Sequence, residues 1–176
     1  MTQNPYMPEA LEPEESLTGR VLDGRYRVYE LLGKGGMGAV YRAEHVELGR
    51  VCAVKVLLPR YTSNENAVRR FRREARASSR VNHENVVEIY DTGQTADGLG
   101  YIAMEYLRGE NLADTLERER RLPWARLRPI MLQLCAALAA AHAEGVVHRD
   151  MKPENCLRIR RGGRDFIKVL DFGIAK

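Results

Sequence analysis

The segment WARLRPIMLQLCAALAAAHAE, Trp124 to Glu144, constrains the fold more than any other. It opens just after Pro123 and stops at Gly145, the punctuation of a helix. Leu127, Ile130, Met131, Leu134, Leu138 and Ala141 recur at helical spacing on one side, and Leu132, Cys135, Ala136, Ala139 and Ala140 cover much of the other. A helix apolar nearly all round is buried within a larger body. Its nearly apolar stretch, Met131 to Ala143, is too short to span a bilayer. After the helix come only a loop and the hairpin-like CLRIRRGGRDFIKVL, so the body expected to surround it is not in this sequence.

The first half has a different texture. Residues 1–24 read as a flexible tail, interrupted by Pro5, Pro8 and Pro13 and carrying Glu12, Glu14 and Glu15. From Arg25 the alternation of Val, Tyr and Leu, broken by glycines, predicts three antiparallel strands. A helix from Asn64 to Arg80, capped by Ser63 or Asn64, comes after Pro59. NVVEIYDTGQT and GYIAMEYL add two strands around a turn at Ala96-Asp97-Gly98, and a short helix covers Asn111 to Arg120. The domains expected are therefore a five-stranded antiparallel lobe with one helix over 25–107, and a mainly helical part over 108–176, an α+β fold.

Charge and cysteines exclude several classes. The formal charge is +4, but the arginines are scattered, clustering locally at Arg69–Arg80 and Arg158–Arg164, as on solvated faces, so neither nucleic acid nor membrane is an expected partner. Cys52, Cys135 and Cys156 are widely spaced with no Cys-x-x-Cys, which fits a reducing, cytoplasmic compartment rather than a disulfide framework or zinc site. The N-terminus lacks the basic and apolar regions of a signal peptide.

Three stretches carry chemistry. In LLGKGGMGAVY, Gly33, Gly35 and Gly38 have the G-x-G-x-x-G spacing that lets backbone amides close over phosphate oxygens. The same spacing serves dinucleotide-binding folds or a plain glycine-rich hairpin, but strand residues Ala39-Val40-Tyr41 come next rather than a helix, which disfavours a dinucleotide. In CAVKV, Lys55 either points outward from its strand or neutralises phosphates with help from a carboxylate on the next helix. Glu74 is the candidate, or else a surface acid paired with Arg70 or Arg73. VVHRDMKPEN then places Asp150, Lys152 and Asn155 in one short loop, and Asp171 comes after the strand IKVL and before Phe172-Gly173. Such a set suits aligning a hydroxyl, neutralising phosphate and holding a divalent cation through oxygen.

In this order the motifs resemble those of bacterial eukaryotic-like serine/threonine protein kinases: glycine-rich loop, strand-three lysine, H-R-D-x-K-P-x-N loop and D-F-G triplet, over about Arg25 to Lys176. The resemblance implies the protein-kinase fold and transfer of the ATP γ-phosphoryl group to a Ser or Thr hydroxyl of a protein substrate. It implies that Asp150 accepts the hydroxyl proton and Lys152 stabilises the transferring phosphate, while Asn155 and Asp171 hold Mg2+. The loop Gly33, Lys34, Gly35, Gly36, Met37, Gly38 and Ala39 would cover ATP, and Lys55 paired with Glu74 would grip its phosphates. Leu32, Val40 and Ala53 would sandwich the adenine, with Met104 behind it and the backbone from Glu105 to Leu107 along its edge. In the family an activation segment, its A-P-E and the remaining helices come after D-F-G, whereas only Ile174, Ala175 and Lys176 do here. The expectation is thus an incomplete large lobe in a truncated chain, with an ATP-binding or interaction module, or a fragment of a longer kinase, as the alternative.

Overall fold

A computed structural model describes residues 17–172; most of the Pro- and Glu-rich tail and Gly173 of the triplet lie outside the described residues. Six strands form one sheet: β1 (Val21–Leu22), β2 (Tyr26–Lys34), β3 (Gly38–His45), β4 (Arg50–Leu57), β5 (Ile89–Gln94) and β6 (Gly100–Glu105). Their order is β1-β2-β3-β4-β6-β5. The five expected strands are β2 to β6, and β1 adds a short edge.

That edge corrects the expected extent of the tail. Leu17 and Leu22 are buried in the sheet's core, and the Gly19 and Val28 amides bond the Val28 and Arg20 carbonyls at 2.9 Å each. Two isolated leucines beyond the last proline look unremarkable in sequence. Burying each stabilises the fold by about 1.5–3 kcal/mol, enough to draw residues 17–24 into the sheet.

The sheet's two faces are set by its register. Tyr41 lies opposite Val54, and Val54 opposite Ala103; with Tyr26, Val28, Val56 and Tyr101 these form the main core. Directly opposed residues share a face and successive ones alternate. The row Val40, Lys55, Ile102 and the row Arg42, Ala53, Met104 therefore lie on the other face.

Helix α1 (Glu65–Ser78) is capped by Asn64 rather than Ser63, its Oδ1 accepting the Asn66 and Ala67 amides at 3.1 Å each. Ala67, Phe71, Ala75 and Ser78 are its buried positions. The chain divides within this helix into two compact units. One ends at Phe71 and takes in Tyr90–Tyr106; the other takes in Arg72–Ile89 and the chain from Leu107.

In the second unit β7 (Glu110–Asn111) leads into α2 (Leu112–Glu119), whose Asp114 amide is capped by Asn111 Oδ1 at 2.8 Å. Helix α3 (Trp124–Ala143) ends in a left-handed Gly145 at φ +69°, with Gly145 N–H on the His142 carbonyl and Val146 N–H on that of Ala141. These are the paired bonds of a Schellman motif. Ile130, Ala137 and Ala141 are its buried line, while Met131 and Leu132 are 45% and 56% exposed. Strands β8 (Cys156–Arg161) and β9 (Arg164–Val169) form the expected hairpin and join β7 in a three-stranded sheet, order β7-β8-β9.

The outer edge of β9 is closed by side chains. Buried Asn85 donates through Nδ2 to the Ile167 carbonyl at 2.7 Å and to Gln133 Oε1 at 3.1 Å, and Gln133 Oε1 accepts the Ile167 amide at 2.8 Å. Two amides thus satisfy both main-chain groups of Ile167, as a neighbouring strand would. Next along, Val86 bridges Val169, and the Val87 amide reaches the Val169 carbonyl at 3.0 Å.

Candidate functional site

In the first unit the glycine-rich turn joins β2 to β3. Its mouth is closed by the Gly35 amide on the Gly38 carbonyl at 2.8 Å. Gly38 is needed for close approach: a Cβ there would lie 2.7 Å from the Val56 carbonyl oxygen and 3.8 Å from Lys55 Cε. The lysine stem therefore runs beside the loop's third glycine. Val40, Ala53, Lys55 and Met104, proposed from sequence for one nucleotide, share the face opposite the main core. Leu32 is the extra residue of a β-bulge between the pairs Leu31–Tyr41 and Gly33–Val40, and is 44% exposed. Glu105 ends β6 opposite Cys52, and Leu107 opens the second unit. Glu74 lies half-buried on the part of α1 that groups with that second unit.

In the second unit the catalytic-type loop is anchored by His148, 2% exposed. Its Nδ1 accepts the Asp150 amide at 3.3 Å, which assigns the ring proton to Nε2, donating to the Leu170 carbonyl at 2.9 Å. Its ring lies 4.9 Å from that of Phe172, itself fully buried among Val81, Val86, Ala137, Ala141, Val146 and Val169. The histidine thus ties the loop to the residues flanking Asp171. The Asp150 amide also bonds the His148 carbonyl at 2.8 Å, a tight turn with Arg149 at φ +62°.

The turn brings three expected residues together. Lys152 Nζ is 3.1 Å from Asp150 Oδ2, and Asn155 Nδ2 donates to the Asp150 carbonyl at 2.7 Å and to Oδ2 at 3.1 Å. Lys152 first, then Asn155, hold the Asp150 carboxyl below the usual carboxylate range, so it is anionic at neutral pH. The Leu170 amide on the Asn155 carbonyl at 2.9 Å links this cluster to Asp171, whose φ is +45°.

Among the described residues no three His, Cys, Asp or Glu side chains make a metal cage. The donor set fits a different arrangement. With its NH2 turned onto Asp150, Asn155 keeps Oδ1 for a ligand, and Asp171 supplies a carboxylate; two hard oxygen donors suit Mg2+ when phosphate oxygens complete the shell.

Arg149 lines a pocket of about 310 Å³ with Arg73, Arg76 and Arg80, and none of these four makes an ion pair among the described residues. Beyond the motifs, the polar supports escape sequence reasoning. Asn85 and Gln133 meet across 48 positions, and Glu110, Arg158, Asp165 and Arg126 form a network under α2 and β8. In sequence each is an ordinary polar residue; only the fold makes them partners.

One unit thus carries the glycine turn and the strand lysine, and the other the Asp150–Lys152–Asn155 loop. Comparison with known proteins supplies the family. The family model described as protein kinase domain matches residues 26–176, and the chain belongs to that family. It is 47% identical over 163 residues to the serine/threonine-protein kinase pkn3 of Myxococcus xanthus, covering 92% of this chain and 30% of that protein. To the serine/threonine-protein kinase PrkC of Bacillus subtilis it is 42% identical over 159 residues, covering 90% of this chain and 24% of the relative. The chain thus spans less than a third of either. The crystal structure of the Mycobacterium tuberculosis PknI kinase domain matches with a TM-score of 0.75 at 32% identity, over 90% of this chain and 63% of that one. No helix among the described residues is long and apolar enough to cross a membrane.

Proposed function

We propose that this chain carries the nucleotide and catalytic residues of an ATP-dependent protein serine/threonine kinase. The observation that carries the reading is the Asp150–Lys152–Asn155 cluster, with Asp150 held ionised on a braced loop. Its serine/threonine-kinase relatives and the order of its motifs support it.

In this reading Asp150 orients the substrate Ser or Thr hydroxyl and takes its proton as the oxygen bonds to the γ-phosphorus. The bond from that phosphorus to the bridging oxygen of ADP breaks, and ADP leaves with the electron pair. Lys152, within reach of Asp150, neutralises the equatorial phosphoryl oxygens. Mg2+ held by Asn155 and Asp171 would supply charge neutralisation on the phosphates. The backbone amides of the glycine turn cover the nucleotide, Lys55 meets its phosphates with Glu74 as partner, and Leu32, Val40, Ala53 and Met104 supply an apolar seat for the base, with backbone hydrogen bonds from Glu105 to Leu107.

Labelled ATP, Mg2+ and a general protein acceptor test this. Phosphate transfer by the purified protein should fall about 10²- to 10⁴-fold in Asp150→Asn. Transfer equal in the two proteins refutes the assignment of Asp150. A nucleotide-dependent rise in melting temperature without transfer, lost in Lys55→Met, favours an ATP-binding module instead.

A further inference from the structure

The arginine cluster of the β8–β9 hairpin is not used by the reaction, and it borders a groove. This groove, about 800 Å³, runs between the first half of α3 and the hairpin, wholly within the second unit. Its size lies within the range of about 300–1,000 Å³ found for ligand pockets.

The lining has two chemistries. Ile130, fully buried, lies at its base; Pro129, Phe166 and the half-exposed Leu132 make an apolar wall. Pro129 has no N–H, so the carbonyl of Ala125, a residue that also lines the groove, lacks its usual helical donor. Around this wall stand Arg160, Arg161 and Arg164, brought to one tip by the left-handed turn at Gly162 and Gly163.

The charge on that rim is not neutralised from within. Asp165, the one acidic residue lining the groove, is 7% exposed and engaged by Arg126 at 2.5 Å and Arg158 at 2.8 Å. Arg160 approaches it only to 3.8 Å. Arg161 reaches Glu84 at 3.6 Å with both side chains 69% exposed, a pairing of little strength, and lies over the Phe166 ring. Arg164 has no ion pair among the described residues.

We propose that this groove docks an acidic linear peptide segment of a partner protein, with an apolar anchor residue against Leu132 and Phe166 and flanking carboxylates on Arg160, Arg161 and Arg164. Charge complementarity selects this occupant. A nucleic acid would satisfy the arginines but leave the apolar wall in water, and a purely apolar partner would desolvate three cations without pairing them. An extended peptide also brings backbone N–H groups, the donor that the Ala125 carbonyl lacks.

The test is fluorescence anisotropy of the purified protein with a short dye-labelled peptide of Asp and Glu carrying two leucines, beside the same peptide with serines for leucines and a single-stranded RNA oligonucleotide. The leucine peptide should bind at micromolar concentration. Affinity should drop at least about tenfold with the serine peptide, with Arg160→Glu combined with Arg164→Glu, and with Leu132→Glu. These side chains are exposed, and circular dichroism checks that each variant folds. Equal binding of the serine peptide, tighter binding of the RNA, or unchanged affinity in both folded variants overturns the proposal. Because binding is read without ATP, this outcome is independent of whether the chain transfers phosphate.

Discussion

Replacing Asn85 tests whether side chains hold the edge of β9. In Asn85→Ala the Ile167 carbonyl loses its 2.7 Å donor and Gln133 Oε1 loses one of two, in a place where Asn85 itself is 3% exposed. A net hydrogen bond contributes about 1 kcal/mol, and a buried acceptor left unmet costs about 1–3 kcal/mol, so the change should destabilise by about 2–4 kcal/mol. That is a large part of the roughly 5–15 kcal/mol that holds a typical domain together. Guanidinium unfolding followed by circular dichroism measures it. Asn85→Asp sharpens the test, because its shape is preserved while its donor depends on pH. At about pH 7 an introduced carboxylate would face the Ile167 carbonyl oxygen with no proton to offer, and burial among acceptors raises its folded pKa above the unfolded value of about 3.9. Relative to the parent at the same pH, stability should therefore recover as pH falls through the raised value, where the protonated acid donates again. A loss below about 1 kcal/mol in Asn85→Ala, or an Asn85→Asp deficit that does not change with pH, would refute the edge-capping argument.

Two further outcomes rest on particular groups. Arg118 first, then Arg158 and Thr115, hold the Glu110 carboxyl down to about 2; a folded value below the unfolded one contributes stability above about pH 4.3 that is lost as pH falls toward about 2. Unfolding free energies between about pH 6 and 3 should drop less steeply in Glu110→Gln than in the parent, and parallel slopes would remove Glu110 from the acid response. In Gly38→Ala the added methyl meets the Val56 carbonyl at 2.7 Å, whereas in Gly36→Ala it meets nothing within 4 Å. The first should lower the melting temperature by several degrees, through roughly 1–3 kcal/mol of overpacking, and the second should leave it nearly unchanged.

The parts of the site readable in sequence are those set by short spacings. Alternation along β4 places Lys55 opposite Val54 and Val56 in facing, and Gly145 ends α3 for a reason visible in the residue itself. Asp150, Lys152 and Asn155 are close because so short a stretch of one loop cannot separate them far. Contacts between distant segments are not readable in this way. Nothing in HENVVE announces that Asn85 will bond a carbonyl 82 residues later, and nothing in RGGRDF shows that Asp165 will be enclosed by Arg126 and Arg158 while its neighbours remain open. The burial of Leu17 and Leu22 is of the same kind, because it depends on a sheet face assembled from β2 to β6.

Among the described residues, four other than glycine adopt the left-handed backbone: Asp23, Arg120, Arg149 and Asp171, at φ 51°, 61°, 62° and 45°. At Arg120, the end of α2, the position supplies geometry, and glycine would serve the backbone better. At Arg149 and Asp171 the same replacement would ease the chain while deleting a guanidinium from the arginine pocket and a carboxylate beside Phe172. Tolerance to substitution therefore obeys two different rules along one polypeptide. At Arg120 a glycine would relieve the backbone outright; at Arg149 and Asp171 the same relief is set against the side chain that it removes.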